Sequence, residues 1–408
     1  MGLTVEQECP QCGAPIELDE TDHLLQCPFC DTRSFLFTPS YFCYALPHKT
    51  EDREILYAPY LRFKGSVFYC REWEVGHRVV DITHVGLPFQ GLPSSLGLRP
   101  QTLRMKFITP DTEGSFLKFS LKATDILKSA GRLSSGSSSG RFFHRAYIGE
   151  TLSLIYFPLY MEADRLYDAV LDRPLTRVPA GRDALSSAME KNRKGSLTFI
   201  PTLCPQCGWN LSGERDSVVL TCGNCDTAWQ AIGGKLSRVN LLVATNSKGD
   251  TLYLPFWKTP TQVTGVEIHS FADFIRITNQ PKGIAKQWET EVMSFWCPAF
   301  KIRPKVFLNL ARQLTLSQKP VQTEEVLPKK GLYPVTLPLR EALQSMKITL
   351  AGSTLNKRRV FPQLPHVRFE TKGSYLVYLP FAETGHEMVQ QDTRVCINKN
   401  TLRYGREL

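Results

Sequence analysis

Eight of the twelve cysteines fall in four CxxC pairs, and the pairs form two copies of one frame. "CPQCGAPIELDETDHLLQCPFCDT" runs from Cys9 to Thr32, and "CPQCGWNLSGERDSVVLTCGNCDT" from Cys204 to Thr227. Cys9, Cys12, Cys27 and Cys30 map onto Cys204, Cys207, Cys222 and Cys225 at a constant offset. Thiolates are soft ligands, and four of them suit a tetrahedral ion such as Zn2+ at Zn–S distances near ~2.3 Å. A CxxC turn lets both sulfurs face one ion, and the glycine that follows, Gly13 or Gly208, can take positive φ so the backbone turns beneath it. "PIELDETDHLLQ" and "NLSGERDSVVLT", between the pairs, run apolar, polar, apolar and predict two short strands joined by a turn. The expected product is two structural zinc sites per chain, each independent of the other. Four thiolates close the shell, so no open position for a substrate is expected. His23 stays outside the ligand set because Val218 stands at its equivalent.

The elements that must position these ligands read mainly as strands. "ILYAPYLRFKG" (Ile55 to Gly65) follows the first copy and "TLYLPFWKTP" (Thr251 to Pro260) the second. Each half then ends on a related stretch, "LIYFPLYMEAD" (Leu154 to Asp164) or "LVYLPFAETGH" (Leu376 to His386). A pattern of apolar residue, Tyr, any residue, Pro thus occurs twice per half, the mark of an internal duplication. Pro59, Pro158, Pro255 and Pro380 are expected at strand edges or bulges, since proline donates no ladder bond. Short helices are predicted at Arg182–Asn192, Pro304–Gln318 and Leu339–Lys347. The fold class is mainly β, a β-rich α+β protein with two four-cysteine zinc ribbons, each followed by a β-rich body. The expected order is ribbon 1 (1–38), body 1 (39–180), a helical linker (181–200), ribbon 2 (201–235) and body 2 (236–408). "GRLSSGSSSGR" (Gly131 to Arg141) has the composition of a flexible loop, and deleting Ser134 to Ser139 is expected to leave the fold intact.

With 42% hydrophobic and 22% charged residues over 408 positions, the composition is that of a globular protein. No run approaches the ~18 apolar residues of a membrane span. "MGLTVEQECP" lacks the basic and apolar regions of a secretory signal. These features and the CxxC pairs predict a cytoplasmic protein, because paired cysteines in a reducing compartment are metal ligands. Cys43, Cys70, Cys297 and Cys396 are expected as buried small hydrophobes. The formal charge of +10 falls to about +6 once each four-thiolate zinc site contributes −2.

"CPQCG" and "CPFC", with the eight cysteines, resemble bacterial double zinc-ribbon domain proteins of uncharacterised function. The resemblance covers the ribbons and implies four-thiolate zinc binding with a recognition or scaffolding role. The same knuckles look like those of rubredoxin, which makes iron the competing metal, although the loop between the pairs is shorter than in that pattern.

No HExxH, GxGxxG or Walker-type loop is present, and no catalytic or cofactor-binding residue is expected. The expected function is a non-catalytic zinc-binding adaptor or scaffold that engages protein partners through its duplicated units. Nucleic acid is the second partner class: "KNRKG", "LPKKG" and "NKRR" are basic, though short and dispersed, while the tip "ELDETDH" is acidic. An enzyme with its site between the two bodies is the third reading.

Overall fold

The computed structural model describes residues 2–50, 52–122, 125–126, 140–178, 185, 188–190, 197–245 and 251–405. The Gly/Ser loop, apart from Gly140 and Arg141, and most of the predicted helix at 182–192 lie outside these residues. The fold is β-rich, with each four-cysteine cluster followed by sheet.

In the first half, β1 (Thr4–Glu8) and β2 (Pro15–Asp19) flank the first cysteine pair, and β3 (Leu24–Gln26) and β4 (Arg33–Phe37) flank the second. Body 1 follows with β5 (Phe42–Ala45), β6 (Leu56–Arg71), β7 (Glu74–Val85), helix α1 (Arg99–Thr102), β8 (Met105–Phe107), β9 (Ser115–Phe116), β10 (Phe142–Glu162), β11 (Arg165–Asp168) and β12 (Arg173–Arg177). The second ribbon uses β13 (Thr198–Pro201), β14 (Val219–Cys222), β15 (Thr227–Ile232) and β16 (Lys235–Val239). Body 2 holds β17 (Leu241–Ala244), β18 (Thr251–Thr264), α2 (Phe271–Thr278), β19 (Ser294–Pro298), α3 (Pro304–Ser317), β20 (Thr323–Glu324), α4 (Leu339–Ser353), α5 (Lys357–Val360), β21 (Arg368–Thr371), β22 (Tyr375–Thr384), β23 (Glu387–Val389), β24 (Cys396–Asn398) and α6 (Lys399–Tyr404). The predicted helices at Pro304 and Leu339 are α3 and α4, the latter longer than expected.

The alternation in β6 and β10 is only partial because both faces of the pair are covered. Leu56, Ala58 and Tyr60 enter one core with Ile155, Phe157 and Leu159. Tyr57, Leu61 and Phe63 enter another with Leu154, Tyr156 and Tyr160. Successive side chains point to opposite faces, so a strand buried on both sides reads as a continuous apolar run.

The duplication is visible in the strand pairing. Pro59 lies opposite Tyr156 and Tyr57 opposite Pro158 in the antiparallel β6–β10 pair. Pro255 lies opposite Tyr378 and Tyr253 opposite Pro380 in β18–β22. In each half the short strand after the ribbon, β5 or β17, adds in parallel to the later of these two strands. The four prolines therefore stand in the regularly paired central strands, not at the strand edges or bulges expected from sequence. Their missing N–H groups face outward, where one neighbouring strand stops and the next begins. Pro59 falls between β9, which reaches Tyr57, and β7, which starts at Tyr60. Pro158 falls between β5 and β11, and Pro380 between β17 and β23. The Pro59 carbonyl accepts from Gly86 N at 2.8 Å and that of Pro255 from Ala299 N at 3.0 Å, so the acceptors are still satisfied. No ladder bond is lost, which is why proline is tolerated there.

Among the described residues, the halves are knitted together at two places, ribbon to ribbon and body to body. β13 pairs antiparallel with β4, joining the second ribbon's lead-in to the first ribbon. Thr198–Pro201 is thus a strand rather than the end of a helical linker, as its β-branched and aromatic "TFIP" permits. β16 likewise carries the second ribbon's sheet to Val239, past the expected boundary at 235. At the other place, the far end of the β6–β7–β10 arm enters the core of body 2. Phe68, Cys70, Phe143, Ala146 and Ile148 share one cluster with Phe307, Leu310, Met346 and Leu350. The rings of Phe68 and Phe307 lie 5.7 Å apart. Among the described residues, no helix is long and apolar enough to cross a membrane.

Candidate metal centres

Each cysteine pair sits on a tight knuckle closed by backbone hydrogen bonds. Gly13 N donates to Cys9 O at 2.9 Å and Cys9 N to Ala14 O at 2.8 Å. The copy repeats this with Gly208 N to Cys204 O and Cys204 N to Trp209 O, at 2.8 and 2.7 Å. Gly13 and Gly208 take φ of 73° and 74°, the left-handed turn expected of them. In the second knuckles that position is filled by Asp31 and Asp226, at φ 56° and 53°. Aspartate tolerates this region better than most residues. The repeated "CDT" carried that signal in the sequence.

The strands around the knuckles differ from the expected pattern. In the first ribbon β2 pairs with β1, across the first knuckle, and β3 with β4, across the second. The two arms lie in different sheets because β1 also pairs with β8 of body 1. In the second ribbon, Ser212 and Thr221 exchange backbone bonds of 2.8 and 2.9 Å and join the arms directly.

The structure brings all eight predicted ligands together as two sets of four sulfurs, each set within 4.8 Å. Cys9 Sγ lies 3.7 Å from Cys30 Sγ, and Cys12 Sγ 3.6 Å from Cys27 Sγ. The second set gives 3.6 Å for Cys204–Cys225 and 3.5 Å for Cys207–Cys222. A tetrahedron with ~2.3 Å metal–sulfur bonds requires sulfurs about 3.8 Å apart, so both sets fit a metal ion. The separations are far beyond a disulfide bond of about 2.05 Å. Cys9, Cys27, Cys204 and Cys222 are buried, while Cys12, Cys30 and Cys207 are exposed. Each centre thus has a protein side and a water side. A bound ion would have its four positions filled by sulfur, an arrangement that holds structure together.

Hydroxyls support the sulfurs. Cys30 Sγ is 3.3 Å from Thr32 Oγ1, and this contact draws the Cys30 thiol down to about 6. Thr227 Oγ1 lies 3.2 Å from Cys225 Sγ and 3.8 Å from Cys204 Sγ, and accepts from Trp229 Nε1 at 2.9 Å. Groups that orient ligands are worth roughly 10- to 100-fold in metal affinity. Thr227→Val is therefore expected to weaken metal binding at the second centre about ten-fold in a chelator competition. An unchanged affinity would show that the hydroxyl has no part in holding the sulfurs.

His23 stands apart from the sulfur sets. It stacks on Phe35 at 5.8 Å and tilts against Phe42 at 5.7 Å, and burial pushes its pKa down to about 4, with Lys301 adding to the effect. Of the remaining cysteines, Cys70 and Cys297 are buried, Cys43 is half-buried and Cys396 is exposed on β24. Cys396 departs from expectation because the alternation of its three-residue strand turns Ile397 inward and Cys396 outward.

The ribbon tips are not free hairpins. His23 N and Leu24 N both donate to Arg215 O of the second tip, at 2.7 and 2.8 Å. Arg215 pairs with Asp22 and donates to Glu17 O at 2.9 Å. Glu20 is buried against Arg62, 2.9 Å away. Much of the acidic character of "ELDETDH" is therefore spent inside the molecule. Beneath the tips, Leu24 and Phe35 share a core with Ile200, Leu211, Leu220 and Trp229.

Comparison with protein-family models, with curated proteins and with solved structures returns no match for this chain.

Proposed function

We propose that this chain is a non-catalytic, cytoplasmic zinc-binding adaptor that engages a protein partner, and that both four-cysteine centres hold Zn2+. The sulfur spacing supports a structural tetrahedral ion, and the short loop between the pairs favours zinc over iron. On this reading the resemblance to double zinc-ribbon proteins extends to a recognition role.

The observation that carries the reading is the apolar surface beside the metal centres. Trp209 is 62% exposed, and its carbonyl is held by Cys204 N, so the metal knuckle fixes its backbone. Leu203, exposed as well, is bridged to Asn210 on the same turn. Phe29, 71% exposed, sits within the second knuckle of the first ribbon. Large apolar side chains on rigid turns make anchors that cost little entropy to immobilise. Because the tips bind each other, these knuckles are the ribbon surfaces left to meet a partner.

A tagged full-length chain and its Leu203→Ser/Trp209→Ser variant would be compared by quantitative mass spectrometry after capture from nuclease-treated lysate. The expected result is a protein partner retained by the parent and reduced about ten-fold in the variant, with two zinc ions per chain in both. Equal capture by the two chains would overturn the role of this surface.

A further inference from the structure

Away from the metal centres, the tip of the β6–β7–β10 arm meets α5 of body 2. Phe361, the residue after α5, is fully buried. Its ring lies 5.8 Å from Phe143 of β10 and 6.4 Å from Trp73 in the β6–β7 turn. This contact brings together basic groups that are distant in the chain: Arg141, just before β10 and 5.2 Å from the Phe143 ring, on one side, and Lys357, Arg358 and Arg359 of α5 on the other. Lys357 is near enough to the arm to act electrostatically on Cys70 of β6. Arg141, Arg358 and Arg359 are exposed. Among the described residues, none of these four cations has a carboxylate partner within ion-pair distance. Glu72 and Glu74 are the carboxylates of the adjoining turn.

Aromatic planes lie among the cations. Trp73 is 40% exposed and packs its ring 5.3 Å from that of Phe143. The Arg141 guanidinium lies 5.2 Å from the centre of the Phe143 ring. Cations alone would suit any polyanion. Cations with exposed rings suit an anion that also carries unstacked aromatic faces, which is the chemistry of a single nucleic-acid strand; a duplex keeps its bases stacked.

We infer that this face binds single-stranded nucleic acid, the four cations contacting backbone phosphates while Trp73 stacks on a base. The basic "NKRR", dispersed in the sequence, gains its neighbours only when the arm docks. This surface is separate from the knuckles and does not depend on the protein-partner reading.

The test uses the full-length, zinc-loaded chain and a fluorescent single strand of about twelve nucleotides. Anisotropy is read from about 50 to 200 mM salt. Four phosphate contacts on a single strand give a log–log salt slope of about −3. Arg358→Ser with Arg359→Ser is expected to weaken binding about ten-fold or more and to reduce the slope by about 1.4. Lys329→Ser with Lys330→Ser removes the same charge from the exposed loop before Gly331 and is expected to change affinity about two-fold or less. Trp73→Leu keeps an apolar side chain but loses the ring, and should cost about five-fold with the slope unchanged. Equal losses in the two double variants would overturn the inference. So would a duplex of the same length bound as tightly, absence of binding at the lowest salt, or binding to anionic vesicles without binding to the strand.

Discussion

Cys222→Ser is expected to empty the second metal centre and to weaken the first as well. The local effect is the larger one. A structural metal site supplies folding energy directly, and losing one belongs to the changes that exceed about 4 kcal/mol. The reach into the other ribbon follows from the shared packing. Leu220 and Trp229, next to the second centre, lie in one core with Leu24 and Phe35, next to the first. β13 hydrogen-bonds to β4, and Arg215 O is the acceptor for His23 N and Leu24 N. Loosening the second ribbon removes partners from the first. A coupling of about 1–3 kcal/mol corresponds to a roughly 5- to 150-fold loss of metal affinity at the first centre. Chelator competition on parent and variant, with metal counted by mass spectrometry, would measure it. First-centre affinity unchanged from the parent would mean that the two sites are independent, as the sequence by itself suggested.

Arg62→Ala is expected to destabilise the chain by about 3–5 kcal/mol. The Arg62 side chain is 2% exposed and is held between Glu20 of the first ribbon's tip and Asp81 of β7. Both Nε and Nη2 of Arg62 donate to the two oxygens of Glu20, at 3.3 and 2.9 Å. Removing the guanidinium leaves the fully buried Glu20 carboxylate without its counter-charge, and that desolvation penalty dominates. Replacing both partners tells the pair's net worth apart from the penalty. Arg62→Met with Glu20→Leu is expected to recover most of the loss, since a well-packed apolar pair is often no less stable than a buried ion pair. Urea unfolding of the parent, the single variant and the double variant decides this. A single variant within about 1 kcal/mol of the parent would show that water reaches Glu20 once Arg62 is gone.

Much of the candidate site was legible because its determinants are local. A CxxC turn, a glycine after it and a repeated spacing bring sulfurs together within a few residues of chain, and both sulfur sets formed as read. The β-rich class and the duplication were legible from the Tyr–x–Pro stretches, which pair with each other in both halves. The left-handed Asp31 and Asp226 and the supporting Thr32 and Thr227 were written in the repeated "CDT", but their roles emerge only beside the sulfurs.

The ligand set, the class of fold and the existence of two related halves follow from the order of residues, because ligand spacing and side-chain periodicity act over short stretches of chain. How the halves join is set by packing between segments far apart in the chain. The pairing of β13 with β4, the arm of β6 and β10 in the core of body 2, the prolines in gaps between outer strands, the burial of Glu20 on Arg62 and the packing of Phe143 on Phe361 all link distant segments. Such contacts depend on register and on which faces remain to be covered after local folding, and neither is encoded in the period of any one stretch.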